Sequence, residues 1–441
     1  MLVSVHKLYF FLLFWISGIT VAKAQVLTLQ QCIDTAQVNN NNLKIGRNSI
    51  EIGEERYKEA KAGLIPRISA NADYKYFADL PYQLLPMSVF GGQEGQFKEA
   101  RFGVPHNMNA NVQLTMPLYN AQVYGAIKTS KIASELNHLQ LQKTEEQVFF
   151  EIANLYYNAS ILYHQEAFID SNLLNAKRLL SNMKLLHEQL LAKSTDLNKT
   201  ELQVTQLNTQ KEAVNSKYQQ ILNALKFAMG VSIERDIQID PTIQFQLPEE
   251  FQTFSSIDVR VSEIQNRLLK VELNTLKKSK LPMLSLFGTY GTTGFGYDKQ
   301  PNSFLKFYPV GFAGVQLSFP LFNGAVSQQK VNQKRFELNN NELQNSLFTE
   351  QNAMQVENAK LQRNLAQRSI KTISDQLNLA QTIYEQTLLQ QKYQTASLND
   401  VLLSDNTLRE AQQTYLSAVV DYLKADLELK KLTGNISTFK K

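Results

Sequence analysis

The sequence predicts a mainly helical protein that carries four short β-strands and is built as two copies of one plan. Long stretches, above all residues 121–187, contain no proline and repeat apolar residues at intervals of three and four, as amphipathic helices do. Four short segments instead alternate polar and apolar residues, which is the period of a strand. Matching landmarks then recur in the same order in both halves. The predicted fold class is therefore mainly α with β, with an internal two-fold repeat.

The first 24 residues have the composition of a cleaved export signal. Lys7 precedes an apolar run from Leu8 to Ile16, and Ala22-Lys23-Ala24 forms an A-x-A cleavage site. The apolar run is shorter than the roughly 20 residues that a membrane-spanning helix needs. We therefore predict that residues 1–24 are removed and that the mature chain is exported.

Helices are predicted over most of the mature chain, at residues 27–62, 121–187, 193–229, 257–280 and 325–432. Such lengths exceed the 8–20 residues of ordinary globular helices and indicate coiled-coil packing. Gly230 and Gly434 follow the last periodic residues of two runs. Because glycine readily adopts a left-handed conformation, both are expected as helix C-caps.

The predicted strands are residues 67–76, 109–116, 283–290 and 314–319. In the first of them every odd position is polar and every even position is apolar. About ten residues of such alternation suit a tilted transmembrane strand. The same pattern also suits a soluble antiparallel sheet with one wet face, and both readings stay open at this point. The connections 78–108 and 291–310 contain many glycines and prolines and are expected to be long loops.

Four prolines mark the expected changes between helix and strand. Pro66 and Pro282 lie where a helix gives way to a strand, and Pro117 and Pro320 lie where a strand gives way to a helix. Proline has no N–H to donate, and it disfavours the helical conformation of the residue before it. We therefore expect each half to be a strand hairpin carried on helices.

The internal duplication is visible in short matching segments. Lys61–Ser69 matches Lys277–Ser285, and Met116–Asn120 matches Phe319–Asn323. Fixed landmarks in a constant order indicate repeated structural units. The predicted boundaries are repeats at 25–230 and 257–434, strands within 65–118 and 282–321, and a C-terminal tail at 435–441.

The number of strands predicts an oligomer if the strands cross a membrane. Single-chain membrane barrels start at eight strands, and unpaired strand edges in lipid are costly. Several copies would then have to share one barrel. Arg67, Asp73 and Lys75 would face its water-filled lumen, because a charge facing lipid costs a few kcal/mol. The other polar positions expected on the lumen side are Ser69, Asn71, Asn109, Asn111, Gln113 and Thr115.

The opposite strand face would then contact lipid. The apolar positions expected there are Ile68, Ala70, Tyr74, Tyr76, Val112, Leu114, Leu317 and Phe319. Aromatic residues near the strand ends could form the girdles that flank the apolar band of a membrane barrel. The alternative is that these aromatics simply pack against the rest of the protein. The residues concerned are Tyr74, Tyr76, Tyr119, Phe319 and Phe322.

Composition argues against several classes of function. The net charge is +5, with 45 basic and 40 acidic residues, and the charges are dispersed, so nucleic acid is not an expected partner. The single cysteine, Cys32, excludes an intrachain disulfide and is expected to be a small buried side chain. Five histidines and one cysteine do not suffice for a Cys/His metal cluster. The sequence has no Walker loop or HExxH motif either. We therefore expect no enzyme activity, no cofactor and no metal.

The landmarks in their order resemble the TolC family of outer membrane efflux proteins. They are LTLQQCIDTA at 27–36, AGLIPRIS at 62–69, and a P-L-[YF]-N motif at both 117 and 320. The resemblance covers residues 27–434. It implies a homotrimer in outer membrane lipid, whose copies each give four strands to a twelve-stranded barrel continued by a long periplasmic α-helical barrel.

The resemblance also implies a function and partners. The chain would be the passive exit duct of a tripartite efflux or type I secretion system. It would dock onto a periplasmic adaptor (a membrane fusion protein) and an inner-membrane RND or ABC transporter. The alternative class is a periplasmic coiled-coil scaffold or adhesin with no channel.

In the family, a closed periplasmic aperture is lined by acidic residues near the start of the last long helix. The matching position is Asp400, with Asp405 as a weaker candidate and Asp196 as the counterpart of Asp400 in the first repeat. The alternative for Asp400 is an acid that is favoured by the helix macrodipole at a helix start capped by Ser397.

Two residues that usually precede this aspartate in the family are different here. The family usually has a tyrosine and a glycine at these places. The corresponding residues are Gln391 and Gln394 in the second half, and His187 and Leu190 in the first.

Overall fold

The computed structural model describes residues 25–242 and 255–436. The predicted export signal lies outside the described residues, as do residues 437–441 of the predicted tail. The helices are α1 (Leu29–Asn39), α2 (Asn41–Ala62), α3 (Ala121–Glu188), α4 (Ser194–Met229), α5 (Ile257–Lys278), α6 (Val326–Lys392) and α7 (Leu398–Leu432). The strands are β1 (Gln25–Leu27), β2 (Arg67–Tyr76), β3 (Tyr82–Pro86), β4 (Phe97–Arg101), β5 (His106–Tyr119), β6 (Ile237–Ile239), β7 (Met283–Tyr297) and β8 (Phe304–Ser318).

The predicted helical runs are confirmed, and two of them divide. The run 27–62 becomes α1 and α2 because Asn40 between them has an extended backbone. The Asn40 side-chain oxygen accepts the N–H groups of Asn42 and Leu43 at 2.8 and 3.2 Å, so Asn40 caps the new helix. The run 325–432 divides between α6 and α7, where Gln394 adopts a φ of 61°.

The predicted cap at Gly230 is confirmed, whereas the C-cap of α7 is Thr433 and Gly434 comes one residue later. Gly230 ends α4 with a φ of 71°, and its N–H donates to the carbonyl groups of Lys226 and Phe227. A Cβ at this position would lie 2.4 Å from the carbonyl oxygen of Asn39, so only glycine fits. Gly434 follows α7 with a φ of 73°.

The four predicted strands form one antiparallel sheet in the order β2-β5-β7-β8. Strand β2 has the predicted bounds, and its register with β5 runs from Arg67 opposite Thr115 to Tyr76 opposite His106. Strands β5, β7 and β8 are longer than predicted. Within the described chain, the outer edges of β2 and β8 pair with no further strand.

The prediction of a long loop at 291–310 is wrong. Strand β7 continues to Tyr297 and β8 begins at Phe304, which leaves residues 298–303 as the connection. The glycines of this segment lie within β7 rather than in turns. A Cβ on Gly291 would lie 2.2 Å from the carbonyl oxygen of Ala110, so glycine here permits a close approach of two backbones. Phe319, predicted in the last strand, lies just beyond the end of β8 at Ser318.

The other predicted loop, 78–108, contains a separate hairpin. Strands β3 and β4 pair with each other, from Tyr82 opposite Arg101 to Pro86 opposite Phe97. The sequence analysis missed this hairpin, and it also missed the short parallel pair of β1 and β6.

Three of the four junction prolines lie where they were predicted. Pro66 and Pro282 immediately precede β2 and β7, and Pro320 lies between β8 and α6. Pro117 is a correction, because it lies within β5 next to an irregularity in the register with β7. The pairing of β5 with β2 has ended at Thr115, so Pro117 faces only one partner strand. A residue without an N–H is tolerated at such a position.

The chain divides into two compact units that do not coincide with the repeats. Among the described residues, unit 1 is 25–49, 138–242, 255–262 and 344–436, and unit 2 is Ile50–Asn137 and Glu263–Leu343. The largest buried cluster belongs to unit 1 and includes Ile33, Ile152 and Leu225. Cys32 lies in this cluster and is fully buried, as predicted, and burial raises the pKa of its thiol to about 12. Unit 2 contains the four-stranded sheet and the helix segments next to it. The predicted repeat boundaries stay a prediction.

Candidate functional site

The four-stranded sheet carries polar side chains on one face. In an antiparallel pair, directly opposed residues share a face. Arg67 lies opposite Thr115, and Asp73 lies opposite Asn109. The nine polar residues predicted to share one side of the strands therefore do so. Whether this side faces a lumen depends on how copies of the chain assemble.

A hydrogen-bonded row crosses three strands on this polar face. The Asn109 amide donates to Asp73 Oδ2 at 3.3 Å, and the Thr293 hydroxyl donates to Asn109 Oδ1 at 3.0 Å. Lys75 Nζ lies 3.6 Å from the same Asp73 oxygen. All four side chains are on strands, so their spacing is fixed by the register. The row supplies charged and neutral polar groups to solvent.

The opposite face of the sheet is apolar and exposed. Ile68 lies opposite Leu114, and Leu284 lies opposite Leu317. Tyr290, on the same face, has 73% of its surface exposed. Soluble monomers rarely expose contiguous apolar patches of this kind. The face therefore has the character of a surface that contacts lipid or another chain.

Aromatic residues interrupt the polar face at β8. Phe312 lies opposite Thr289, and Tyr308 lies opposite Thr293. The rings of Phe287 and Phe312 meet edge to face with 6.3 Å between their centroids. The sequence analysis missed Tyr308 because it placed 291–310 in a loop, and it missed Phe312 because it began the last strand at residue 314.

His106, at the start of β5, is a second residue that the sequence analysis missed. The Tyr74 hydroxyl and His106 Nδ1 are 2.7 Å apart, and the Tyr76 ring lies 5.2 Å from the imidazole centroid. Asp298 Oδ2 is 3.7 Å from His106 Nε2. The contacts join β2, β5 and the β7–β8 connection at one end of the sheet. Only the register, which aligns residue 76 with residue 106, brings them together.

Asp400 is the third residue of α7 and forms a capping box with Ser397. The Asp400 carboxylate accepts the Ser397 N–H at 2.8 Å and the Ser397 hydroxyl at 2.7 Å. The Ser397 oxygen accepts the Asp400 N–H at 3.3 Å. These hydrogen bonds hold the pKa of the exposed Asp400 carboxyl below its ordinary value. The capping interpretation is confirmed, and the aperture role of Asp400 stays a prediction.

Asp196 occupies the equivalent place in α4. It is also the third helical residue, but the N-cap is Lys193, which makes no side-chain capping bond. Lys199 Nζ lies 3.0 Å from Asn399 Oδ1, so the first turns of α4 and α7 are neighbours. The two predicted aspartates thus lie at two adjacent helix starts. Their aperture role is not tested by this arrangement.

Asp405 is buried between two helices of the same chain. It is 2% exposed and accepts a hydrogen bond of 2.6 Å from the Gln203 amide on α4. The Arg409 guanidinium lies 2.9 Å from the same carboxylate. Burial raises the pKa of the Asp405 carboxyl, while Arg409 and Gln203 oppose the rise. Asp405 therefore joins α4 and α7, and its aperture role stays a prediction.

The turns that precede these helix starts have left-handed residues in both repeats. Leu190 has a φ of 60° and Gln394 a φ of 61°. They occupy the places where the family resemblance leads one to expect glycine. The following residues, Leu191 and Thr395, donate their N–H groups back to Leu186 and Gln390. Both turns therefore have a left-handed backbone although neither residue is glycine.

Two further findings concern metal binding and membrane-spanning helices. Among residues 25–242 and 255–436, no group of three or more His, Cys, Asp or Glu side chains could hold a metal ion. Over the same residues, no helix combines the length and the apolar character needed to span a membrane.

Comparison with known proteins defines the class. Residues 32–231 match the family described as outer membrane efflux protein. Over 426 residues the chain is 18% identical to the outer membrane protein TolC of Salmonella enteritidis, covering 94% of this chain and 83% of that protein. The fold is similar to the CmeC outer membrane channel of Campylobacter jejuni, with a TM-score of 0.74, 15% identity, and coverage of 92% of this chain and 85% of that one. It is also similar to the outer membrane protein VceC of Vibrio cholerae, with a TM-score of 0.72, 13% identity, and coverage of 92% and 96%.

The family match falls on the first of the two repeats, and the second repeat carries the same succession of strands and long helices. The resemblance to the TolC family of outer membrane efflux proteins that the sequence predicted is therefore confirmed. This is a family of transport proteins of the outer membrane.

Proposed function

We propose that three copies of the chain form an exit duct in the outer membrane. Each copy contributes β2, β5, β7 and β8 to one closed barrel, and the long helices continue the duct into the periplasm. The polar strand face, including Arg67, Asp73 and Lys75, lines the water-filled interior. The apolar face contacts lipid.

The single observation that carries this proposal is a sheet with two open edges and one exposed apolar face. An apolar face exposed to water is unfavourable by about 25 cal/mol per Å². Open strand edges are not tolerated in lipid, because their N–H and C=O groups would have no partners. Lipid covers the apolar face, and joining β8 of one copy to β2 of the next pairs the open edges. Three copies give twelve strands, which exceeds the eight-strand minimum of a membrane barrel.

The duct is passive and depends on partners for energy and delivery. The sequence has no phosphate-binding loop, so the driving force must come from another protein. In this proposal a periplasmic adaptor connects the duct to an inner-membrane RND or ABC transporter. The outcome is tripartite efflux of small molecules or type I secretion of proteins.

Planar bilayers test the proposal directly. Purified protein should be trimeric by light scattering in detergent and should conduct ions in steps. If Asp400 and Asp196 restrict the periplasmic end, a variant with Asp400→Ala and Asp196→Ala should conduct more than the wild type. Asp375→Ala, which removes an exposed acid from α6, is the matched control and should leave conductance unchanged.

The outcomes separate the two parts of the proposal. Protein that never conducts would count against the duct and in favour of a periplasmic scaffold or adhesin. Equal conductance of the wild type and the double variant would remove the aperture role of the aspartates and leave the duct intact.

A further inference from the structure

A cavity of about 310 Å³ lies in unit 2 between the start of α3 and the end of α5. A Cβ on Gly125 of α3 would lie 2.1 Å from the Thr275 side chain of α5, so the two helices touch where they line the cavity. Cavities of this size accept a small ligand or one part of a larger one. Two tyrosines, two lysines and two small polar residues line it, namely Tyr119, Tyr124, Lys128, Asn274, Thr275 and Lys278.

The cavity is continuous with the apolar face of the sheet. After the irregularity in β5, Tyr119 lies opposite Leu284, and Leu284 lies opposite Leu317. Because directly opposed residues share a face, Tyr119 belongs to the apolar face. The Tyr124 ring is next to it, with 6.2 Å between the two ring centroids. The cavity therefore begins where the strands meet the helices, on the side that the proposed function places in lipid.

Lys128 and Lys278 reach the cavity from two different helices and have no ion-pair partner among the described residues. From Ala121 to Ser134, α3 contains two lysines and no acid. From Leu273 to its end at Lys278, α5 also contains two lysines and no acid. The positive charge at the cavity is thus not balanced by acids on the same helix segments.

The next acids along the two helices are paired with other cations. Glu135 Oε2 on α3 lies 3.1 Å from Arg267 Nη1. Glu272 Oε2 on α5 lies 2.9 Å from Lys334 Nζ. An anion from outside the chain would therefore complement the two lysines at the cavity.

We propose that the cavity binds the phosphate group of a phospholipid, in the membrane leaflet on the helical side of the barrel. The proposal rests on the proposed function, which places the apolar strand face in lipid. Lys128 and Lys278 contact the phosphate oxygens, and the Asn274 amide donates a hydrogen bond to them. Tyrosine is typical of membrane interfaces because its ring is apolar and its hydroxyl is polar. The acyl chains pass over Tyr119 onto the apolar face, a contact that free phosphate cannot make.

Tryptophan fluorescence tests the site in the full-length protein. The only tryptophan of the chain, Trp15, lies in the predicted export signal, so Tyr124→Trp gives the mature protein a single reporter at the cavity. The protein is reconstituted in phosphatidylcholine vesicles that contain a rising fraction of lipid with brominated acyl chains, which quench tryptophan on contact. We expect half-quenching at about a fivefold lower fraction of brominated phosphatidylglycerol than of brominated phosphatidylcholine, since one lysine near anionic lipid contributes about this factor.

Two pairs of lysine substitutions separate the cavity from general surface charge. In the reporter protein, Lys128→Gln with Lys278→Gln should remove the preference for phosphatidylglycerol. Lys131→Gln with Lys277→Gln is the matched control, because both lysines are exposed on the same helices but do not line the cavity. This control should keep the preference. Equal loss in both pairs would assign the preference to general charge and overturn the site.

Inorganic phosphate distinguishes a lipid headgroup from a free anion. Sodium phosphate added to unbrominated phosphatidylcholine vesicles should change the emission of the reporter no more than sodium chloride of equal ionic strength. A saturable change that requires Lys128 and Lys278, without a preference for phosphatidylglycerol, would overturn the lipid assignment in favour of free phosphate.

A second reporter separates failure of the site from failure of the duct. Val112→Trp lies on the apolar face of β5, away from the cavity, and should be quenched equally by the two brominated lipids. Quenching at residue 112 without a lipid preference at residue 124 would overturn the phosphate site and leave the duct standing. No quenching at residue 112 would contradict the lipid contact of the sheet, and the duct and the phosphate site would be overturned together.

Discussion

Leu190 and Gln394 are single residues that hold an unfavourable backbone angle at equivalent places. A left-handed φ costs a residue with a side chain about 1–2 kcal/mol relative to glycine. Leu190 is also 91% exposed, so its side chain gains little from burial in the chain. The backbone path of each turn is therefore imposed by the two helices it joins, and the side chain adapts to it.

Replacing one of these residues by glycine should stabilise the turn. We expect Gln394→Gly to raise the stability of the purified protein by about 1 kcal/mol, because glycine adopts this φ without steric cost. Glycine also gains entropy in the unfolded chain, which limits the benefit. Thermal denaturation in detergent measures the effect. Gln394→Ala is the control and should give no gain, and a gain of equal size with alanine would exclude the backbone explanation.

At the residue scale, the sequence identified the acids at the helix starts but not their environments. Asp400 and Ser397 are three residues apart, so their capping box could be predicted from spacing alone. The burial of Asp405 depends on Gln203, which is about 200 residues away in sequence and adjacent only because α4 packs on α7. No local pattern contains that information.

At the scale of the elements, α6 and α7 are joined by a buried group of charges. Arg363 Nε on α6 lies 2.7 Å from Asp426 Oδ1 on α7. Lys430 Nζ, one turn further along α7, lies 3.0 Å from Asp426 Oδ2. One carboxylate thus lies between two cations that are largely shielded from water. Removing one partner from a buried group of this kind lowers the stability of the folded protein more than removing one from an exposed pair.

Asp426→Ala should therefore weaken the packing of α6 on α7. We expect a loss of about 3 kcal/mol, because two buried cations remain without the carboxylate between them. A lower midpoint of thermal unfolding in detergent would register the loss. Glu357→Ala removes an acid from an exposed pair on α6, with Lys360 at 3.7 Å, and should change stability by less than about 0.5 kcal/mol. Equal midpoints for the two variants would show that burial of the pair is unimportant.

Sequence patterns predicted the bounds of β2 correctly but not those of β7. Residues 67–76 alternate without exception, and β2 has those bounds. Residues 291–297 contain three glycines, which indicate a turn in sequence but lie within β7. The reason lies in another strand, since the Ala110 backbone passes too close to Gly291 for a side chain. Such contacts between distant segments become visible only when the register is known.

At the scale of the whole molecule, the two faces of the sheet should respond differently to the same charge. Val112 and Gln113 are neighbours in the middle of β5, on the apolar and polar faces respectively. In the proposed barrel, Val112→Lys places a charge in lipid at a cost of about 2–4 kcal/mol near the midplane. Gln113→Lys places it in the aqueous interior and should be tolerated.

Assembly in the outer membrane provides the measurement. The fraction of chains that migrate as a trimer on an unheated gel should fall with Val112→Lys and stay at the wild-type level with Gln113→Lys. If the two lysine variants assemble equally well, or if Gln113→Lys is the poorer one, the assignment of the faces would have to be reversed or abandoned.

The β3–β4 hairpin has a consequence for how this protein can diversify. Its strands bond to each other and, in the described chain, to none of the four strands of the larger sheet. A Cβ at Gly95 near its tip would meet no atom within 4 Å. In the proposed topology the hairpin lies at the end of the sheet away from the helices, outside the cell. Its sequence can therefore change, or accept an inserted epitope, while the four-stranded sheet keeps its register.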